Sequence, residues 1–179
     1  MRKLVSFVIV FLFLLPMTVF ANTTYTVNSG DTMWKIAAKY KVGVTEIINA
    51  NPQIKNPNLI YPYQQINIPS VNQETRNFEQ EVIRLTNAER LKAGLKPLSE
   101  DWELSRVARH KSMDMSQRNY FSHTSPTYGS PFDMIKAYKL TYRSAGENIA
   151  RGQRTPQQVV HAWMNSSGHR ANILNRSYT

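Results

Sequence analysis

The chain has 179 residues, with 22 Lys and Arg against 12 Asp and Glu, and no cysteine. That length holds one ordinary domain or two small ones, and the missing cysteine excludes disulfide staples, thiol nucleophiles and thiolate metal sites. The basic excess is spread over both halves with no Lys/Arg-rich run and no aromatic RNA-binding motif, which argues against a nucleic-acid partner.

The first stretch, MRKLVSFVIVFLFLLPMTVFA, reads as a secretory signal peptide over residues 1–21. Arg2 and Lys3 give a positive start, Leu4 to Leu15 an apolar core, and Val19-Phe20-Ala21 a cleavage site. The core is short for a span of about 20 residues, so no integral membrane segment is expected after cleavage. For a secreted chain, the remaining positive charge suits an anionic wall polymer or simply a soluble surface. A Lys-rich secreted chain without cysteine points to a Gram-positive source.

Residues 24–69 read as a compact unit. TYTV alternates as a strand, with Tyr25 and Val27 on one face. Asp31 is expected to cap a helix that buries Met33, Ile36, Ala37 and Tyr40, with Trp34 also in the core. Gly43 breaks that helix, and Thr45 is expected to cap a second one carrying Ile47 and Ile48, stopping before Pro52. QINIP alternates again and turns Ile66 and Ile68 inward. The order is strand, helix, helix, strand.

The blocks SGDTMWKIA, NANP and IYPYQQINIP stand in register across this unit, which resembles a LysM module. The resemblance implies binding of N-acetylglucosamine polymers, chiefly peptidoglycan or chitin. It puts the sugar groove between two loops, Gly30, Asp31, Thr32 and Met33 on one side and Asn51, Pro52, Gln53 and Ile54 on the other, with Leu59 to Pro62 as a further flank. Open-loop backbone groups can bond the sugar's amide and hydroxyls, and Met33 or Ile54 can meet its methyl and ring face. This chain departs from the family at Tyr63, where relatives carry Gly. If the turn needs a positive φ, tyrosine costs on the order of 1 kcal/mol there.

Residues 70–77 are polar and aperiodic and read as a linker. From 78 to 179 the pattern is helical. Asn77 is expected to cap a helix with Phe78, Val82, Leu85, Ala88 and Leu91 on one face, and Asp101 a second with Leu104, Val107, Ala108 and Met115 inward. Ser130-Pro131 and Thr155-Pro156 each place a cap before a proline at the first helical position. The helices they start bury Phe132, Ile135 and Tyr138, and Val159, Val160 and Trp163. LTYR and ENIA are the short strand candidates.

Two imidazoles and a carboxylate stand out: His123, Glu147 and His169. They suit a divalent metal with an open position or general acid–base work, but their separations of 24 and 22 residues prove no shared site. The alternative is three polar residues capping turns and helix ends. A Ser-His-Glu arrangement through Ser122 or Ser166 is weaker, since neither serine sits in a nucleophile elbow.

FSHTSP, GENIA and WMNSSGHRANIL follow one another after NAERLKAGLKPL, and together resemble the bacterial secreted branch of the CAP, or SCP-like, superfamily over residues 78–179. The resemblance implies an α-β-α sandwich, so the whole chain is read as α+β. It implies a cleft in which His123, Glu147 and His169 hold a divalent cation such as zinc, although no cofactor is required. A second Glu of the family's cleft is Ser166 here, which weakens any metal site. The family's remaining core strands are absent by residue 179. The sequence therefore predicts a C-terminally incomplete domain, a piece of a longer protein, with poor cover over Val159, Trp163 and Ile173.

The function expected is a secreted cell-wall or spore-envelope protein that binds peptidoglycan and carries a CAP-like part with no catalytic residue assigned. The spore link rests on the similar wording of LysM modules in spore-coat proteins. The alternatives are a metal-assisted extracellular hydrolase using His123, Glu147 and His169, and lipid binding as in some CAP relatives.

Overall fold

In the computed structural model, which describes residues 23–179, the chain runs β1 (Thr23–Thr26), α1 (Met33–Tyr40), α2 (Val44–Asn49), β2 (Gln65–Ile68), α3 (Gln73–Lys92), α4 (Trp102–Gln117), α5 (Pro131–Ala137), α6 (Pro156–Met164) and α7 (Ser167–Ile173). The predicted signal peptide lies outside the described residues.

β1 and β2 pair antiparallel, Thr23 opposite Ile68 and Tyr25 opposite Ile66. The period-2 alternation sends Tyr25, Val27, Ile66 and Ile68 to one face. There they meet Met33, Ile36 and Ala37 of α1 and Ile47 of α2, all buried, in one apolar cluster. Asn51 is the polar member of this interior. Its Nδ2 donates to the carbonyls of Ile47 and Asn67, both at 2.7 Å, and its Oδ1 accepts from Asn67 N at 2.8 Å and from Gln53 Nε2 at 3.0 Å. One side chain thus ties the end of α2 to the outer edge of β2.

Three expectations for this unit are corrected. Thr32, not Asp31, caps α1 by accepting from Lys35 N; Asp31 instead accepts from Tyr25 Oη at 2.7 Å and Asn28 N at 2.8 Å. α2 starts at Val44 behind Gly43, one residue before Thr45 could cap it. Trp34 is 68% exposed: it follows Met33 on α1, and the i, i+3, i+4 face taken by Met33, Ile36 and Ala37 leaves it on the water side.

In the second half, α3 begins at Gln73 with Asn72 as its cap, five residues before the expected start. It packs against α6 and α7, and these helices bury Val159, Val160 and Ile173. The poor cover expected over Val159 and Ile173 is therefore corrected: a helical face supplies what a sheet was expected to supply. Arg90, only 1% exposed, locks this group. Its guanidinium donates to the carbonyls of Lys96, Ile173, Asn175 and Tyr178 at 2.7–3.0 Å, joining α3 to the segment after α7.

α4 keeps its Asp101 cap, which accepts from Glu103 N and Leu104 N, but buries Val107, Lys111 and Asp114, while Leu104 and Ala108 face out. α5 carries the full Ser130–Asp133 capping box with Pro131 behind it, and its Ile135 and Met134 join Val107 in a second apolar cluster. Phe132 is exposed. LTYR and ENIA are irregular rather than strands. An extended segment needs a ladder partner, and among the described residues β1 and β2 form the one sheet. ENIA's backbone is held by side chains instead: Trp163 Nε1 donates to Ile149 O at 3.1 Å and Asn172 Nδ2 to Glu147 O at 3.3 Å.

Candidate functional site

Two places bring the expected residues toward chemistry, one in each half. In the first half, the connection from α2 to β2 folds over itself and leaves an open hollow. It is lined by Gln53, Ile54, Lys55, Asn56, Leu59, Tyr61, Pro62, Tyr63 and Gln64. The turn at its rim is fixed by backbone bonds: Tyr63 N donates to Val27 O at 2.8 Å, Gln64 N to Tyr61 O at 3.1 Å, and Val27 N to Gln64 O at 2.9 Å. Tyr61 N closes the same turn on Gln64 Oε1 at 3.0 Å. Tyr63 takes φ 69° to meet these constraints, so the left-handed conformation that the sequence raised as a condition is the one adopted.

Of the expected groove residues, Gln53 and Ile54 line this hollow and Pro52 is exposed beside them. Gly30, at φ 83°, Asp31 and Thr32 form the turn before α1, where the Gly30 carbonyl accepts from Lys35 Nζ at 2.7 Å. Met33 is buried in the core and Asn51 is consumed by its four structural hydrogen bonds, so neither side chain is presented to a ligand. Lys55, Asn56, Tyr63 and Gln64 line the hollow without having been singled out as ligand contacts. The signal for them was the cluster of amides and tyrosines around the YPYQQ turn.

In the second half, Asp114 organises the loop that carries His123. Its carboxylate accepts from Tyr120 Oη at 2.5 Å, Ser125 Oγ at 2.7 Å and Thr127 Oγ1 at 2.7 Å. Burial raises its pKa, but these three hydrogen bonds and the charge of Arg118 outweigh burial and hold it at about 2. Buried Lys111 donates from Nζ to His123 O at 2.5 Å. The imidazole so placed meets Glu147, with Nδ1 to Oε1 at 2.7 Å. A carboxylate that engages one ring nitrogen fixes the ring's orientation and directs the other nitrogen elsewhere, the arrangement of an acid–base pair.

His169 lies on α7 and pairs with a different group, Ser166 Oγ, at 2.9 Å from Nδ1. Its backbone carbonyl accepts from Asn148 Nδ2 at 3.1 Å, which ties α7 to the segment that holds Glu147. A Ser-His-Glu relay needs one imidazole between the serine and the carboxylate. Here each imidazole has its own partner, so that arrangement is not assembled. Among the described residues, no group of three or more His, Asp or Glu side chains is placed to hold a metal ion.

Residues 83–179 match the cysteine-rich secretory protein family, CAP, and residues 25–69 match the LysM domain. The first match takes in more than half of the chain. The chain belongs to the CAP family. It joins that CAP domain to a LysM module in an α+β chain, and does so without a single cysteine. Over 102 residues it is 63% identical to the uncharacterized protein YkwD of Bacillus subtilis (strain 168), covering 57% of this chain and 40% of that one. The LysM part is 46% identical over 46 residues to the spore coat assembly protein ExsA of Bacillus cereus, covering 26% of this chain and 7% of ExsA. Among solved structures, an extracellular protein containing a SCP domain from Bacillus anthracis str. Ames superposes with a TM-score of 0.57 at 35% identity, covering 66% of this chain and 41% of that one. The chain thus spans less than half the length of each of these relatives. Among the described residues, no helix is long and apolar enough to cross a membrane.

Proposed function

We propose that this CAP-family chain is a secreted cell-wall or spore-envelope protein, held on peptidoglycan by its LysM module, with a CAP domain whose activity is unassigned. The observation that carries the reading is the open hollow after α2. It offers amides from Gln53, Asn56 and Gln64 beside the apolar faces of Ile54, Leu59 and Tyr61, the mixture an N-acetylated sugar needs. The LysM match over residues 25–69 supports it, and the likeness to a spore coat assembly protein supports the spore envelope as one location.

The test is co-sedimentation of the purified chain with insoluble peptidoglycan stripped of teichoic acid. The expected result is saturable pelleting with a micromolar Kd, blocked by soluble N-acetylglucosamine oligomers. Pelleting no greater than that of an unrelated basic protein of similar charge would end the proposal.

A further inference from the structure

The turn at the rim of the hollow is closed by backbone hydrogen bonds, and no contact of the tyrosine ring offsets its conformational cost. Tyr63 stands at φ 69°, where a Cβ crowds the backbone. Yet it is 87% exposed, and its ring makes no hydrogen bond and no aromatic or cation contact among the described residues. Other non-glycine residues at positive φ, Lys41 and Lys139, close helix C-termini and need only a backbone there. Tyr63 differs because a large apolar ring is displayed at the mouth of a concavity, next to Tyr61 and Leu59, which are themselves 58% and 51% exposed. Backbone strain that persists without internal packing marks a position shaped by something outside the fold.

We infer that the Tyr63 ring is a stacking platform that extends the hollow by one sugar, and that Lys55 beside it selects a peptidoglycan strand. The inference rests on the peptidoglycan reading above and names a residue that determines its affinity. The apolar face of a pyranose matches a flat exposed ring, and tyrosine supplies that area with little conformational freedom to lose. The charge of the hollow chooses between glycans. Lys55 is the one charged group among its lining residues, so the site is cationic. It complements the carboxylates on peptidoglycan stem peptides, which an uncharged chitin strand does not carry.

The full chain is measured against teichoic-acid-free peptidoglycan and against chitohexaose, for the wild type and for Tyr63→Phe, Tyr63→Asn, Tyr63→Gly and Lys55→Gln. Asn and Gly both tolerate the left-handed turn, so neither tests folding, and a thermal melt confirms that both are at least as stable as the wild type. Tyr63→Asn and Tyr63→Gly are expected to raise Kd for both glycans by roughly five- to ten-fold, while Tyr63→Phe stays within about two-fold of the wild type. Lys55→Gln is expected to weaken peptidoglycan binding alone, an effect that fades as salt is added. Wild-type binding with Tyr63→Asn unchanged overturns the platform and leaves the module's role standing. No wild-type binding to either glycan overturns both.

Discussion

Asn51 and Tyr63 show how much single side chains decide in a module of about 45 residues, where the apolar core is small. Asn51 satisfies two backbone carbonyls and one backbone N–H in the interior. Asn51→Ala strands these groups and is expected to destabilise the module by about 2–3 kcal/mol, read as a lower urea midpoint followed by Trp34 fluorescence. A loss under about 0.5 kcal/mol would mean that water replaces the amide. Tyr63 predicts the opposite sign. Relief of its left-handed strain in Tyr63→Gly is expected to gain up to about 1 kcal/mol, and a drop in melting temperature would contradict the strain. That turn was raised as a condition by the glycine that LysM relatives carry where this chain has Tyr63, and the chain adopts it. The burial of Met33 was legible from the helical period, but the structural role of Asn51 was not, because the loop residues of a groove and the polar residues that close a small core are the same types at the same places.

At the scale of elements, periodicity and capping signals located α1 to α6 and both strands but not α7, while tertiary packing chose their faces. α4 illustrates the difference. Leu104, Val107, Ala108 and Met115 satisfy helical spacing on paper, but the polar residues Lys111 and Asp114 are the ones buried beside Val107, since they hold the loop carrying His123. A hydrophobicity pattern cannot see a buried lysine whose partner is a carbonyl twelve residues away. Arg90 was equally hidden, because its acceptors follow it by up to 88 residues. Replacing it tests how far α3, α7 and the segment after α7 act as one unit. Arg90→Met leaves four carbonyls without their donor. The expected cost is about 3 kcal/mol or more, together with faster amide exchange over residues 173–178. If exchange there is unchanged, the segment is held by packing alone.

Among the described residues a charged cluster joins the two halves of the molecule, which makes their association sensitive to acid. Glu46 on α2 receives Arg106 of α4 in a paired contact, Nη2 to Oε2 at 2.8 Å, and His110 Nε2 lies 3.3 Å from its Oε1. Tyr138 completes the cluster: its ring lies under the Arg106 guanidinium at 4.9 Å and its hydroxyl meets His110 Nδ1. The Glu46 carboxylate and the Arg106 guanidinium have room here because residue 43 is glycine; a methyl there would sit 1.9 Å from Glu46 Oε2 and 2.3 Å from Arg106 Cζ. Burial raises the Glu46 pKa, but hydrogen bonds from His110 and Arg106 and the arginine charge prevail and bring it from 4.5 to about 2. A carboxylate depressed on folding adds stability that is complete above its unfolded pKa and is lost as pH falls through the folded one. The window is therefore pH 4.5 down to about 2, and the size is at most about 3 kcal/mol for a pair that remains partly solvated. Urea unfolding of the wild type and Glu46→Gln across this range should show a difference that is flat above pH 5 and shrinks steadily toward pH 2. Gly43→Ala, which pushes the pair apart without removing a charge, should reduce stability at pH 7 and flatten the same acid dependence. A Glu46→Gln difference that keeps its full size at pH 2 would show that the carboxylate's charge does not join the LysM module to the CAP domain.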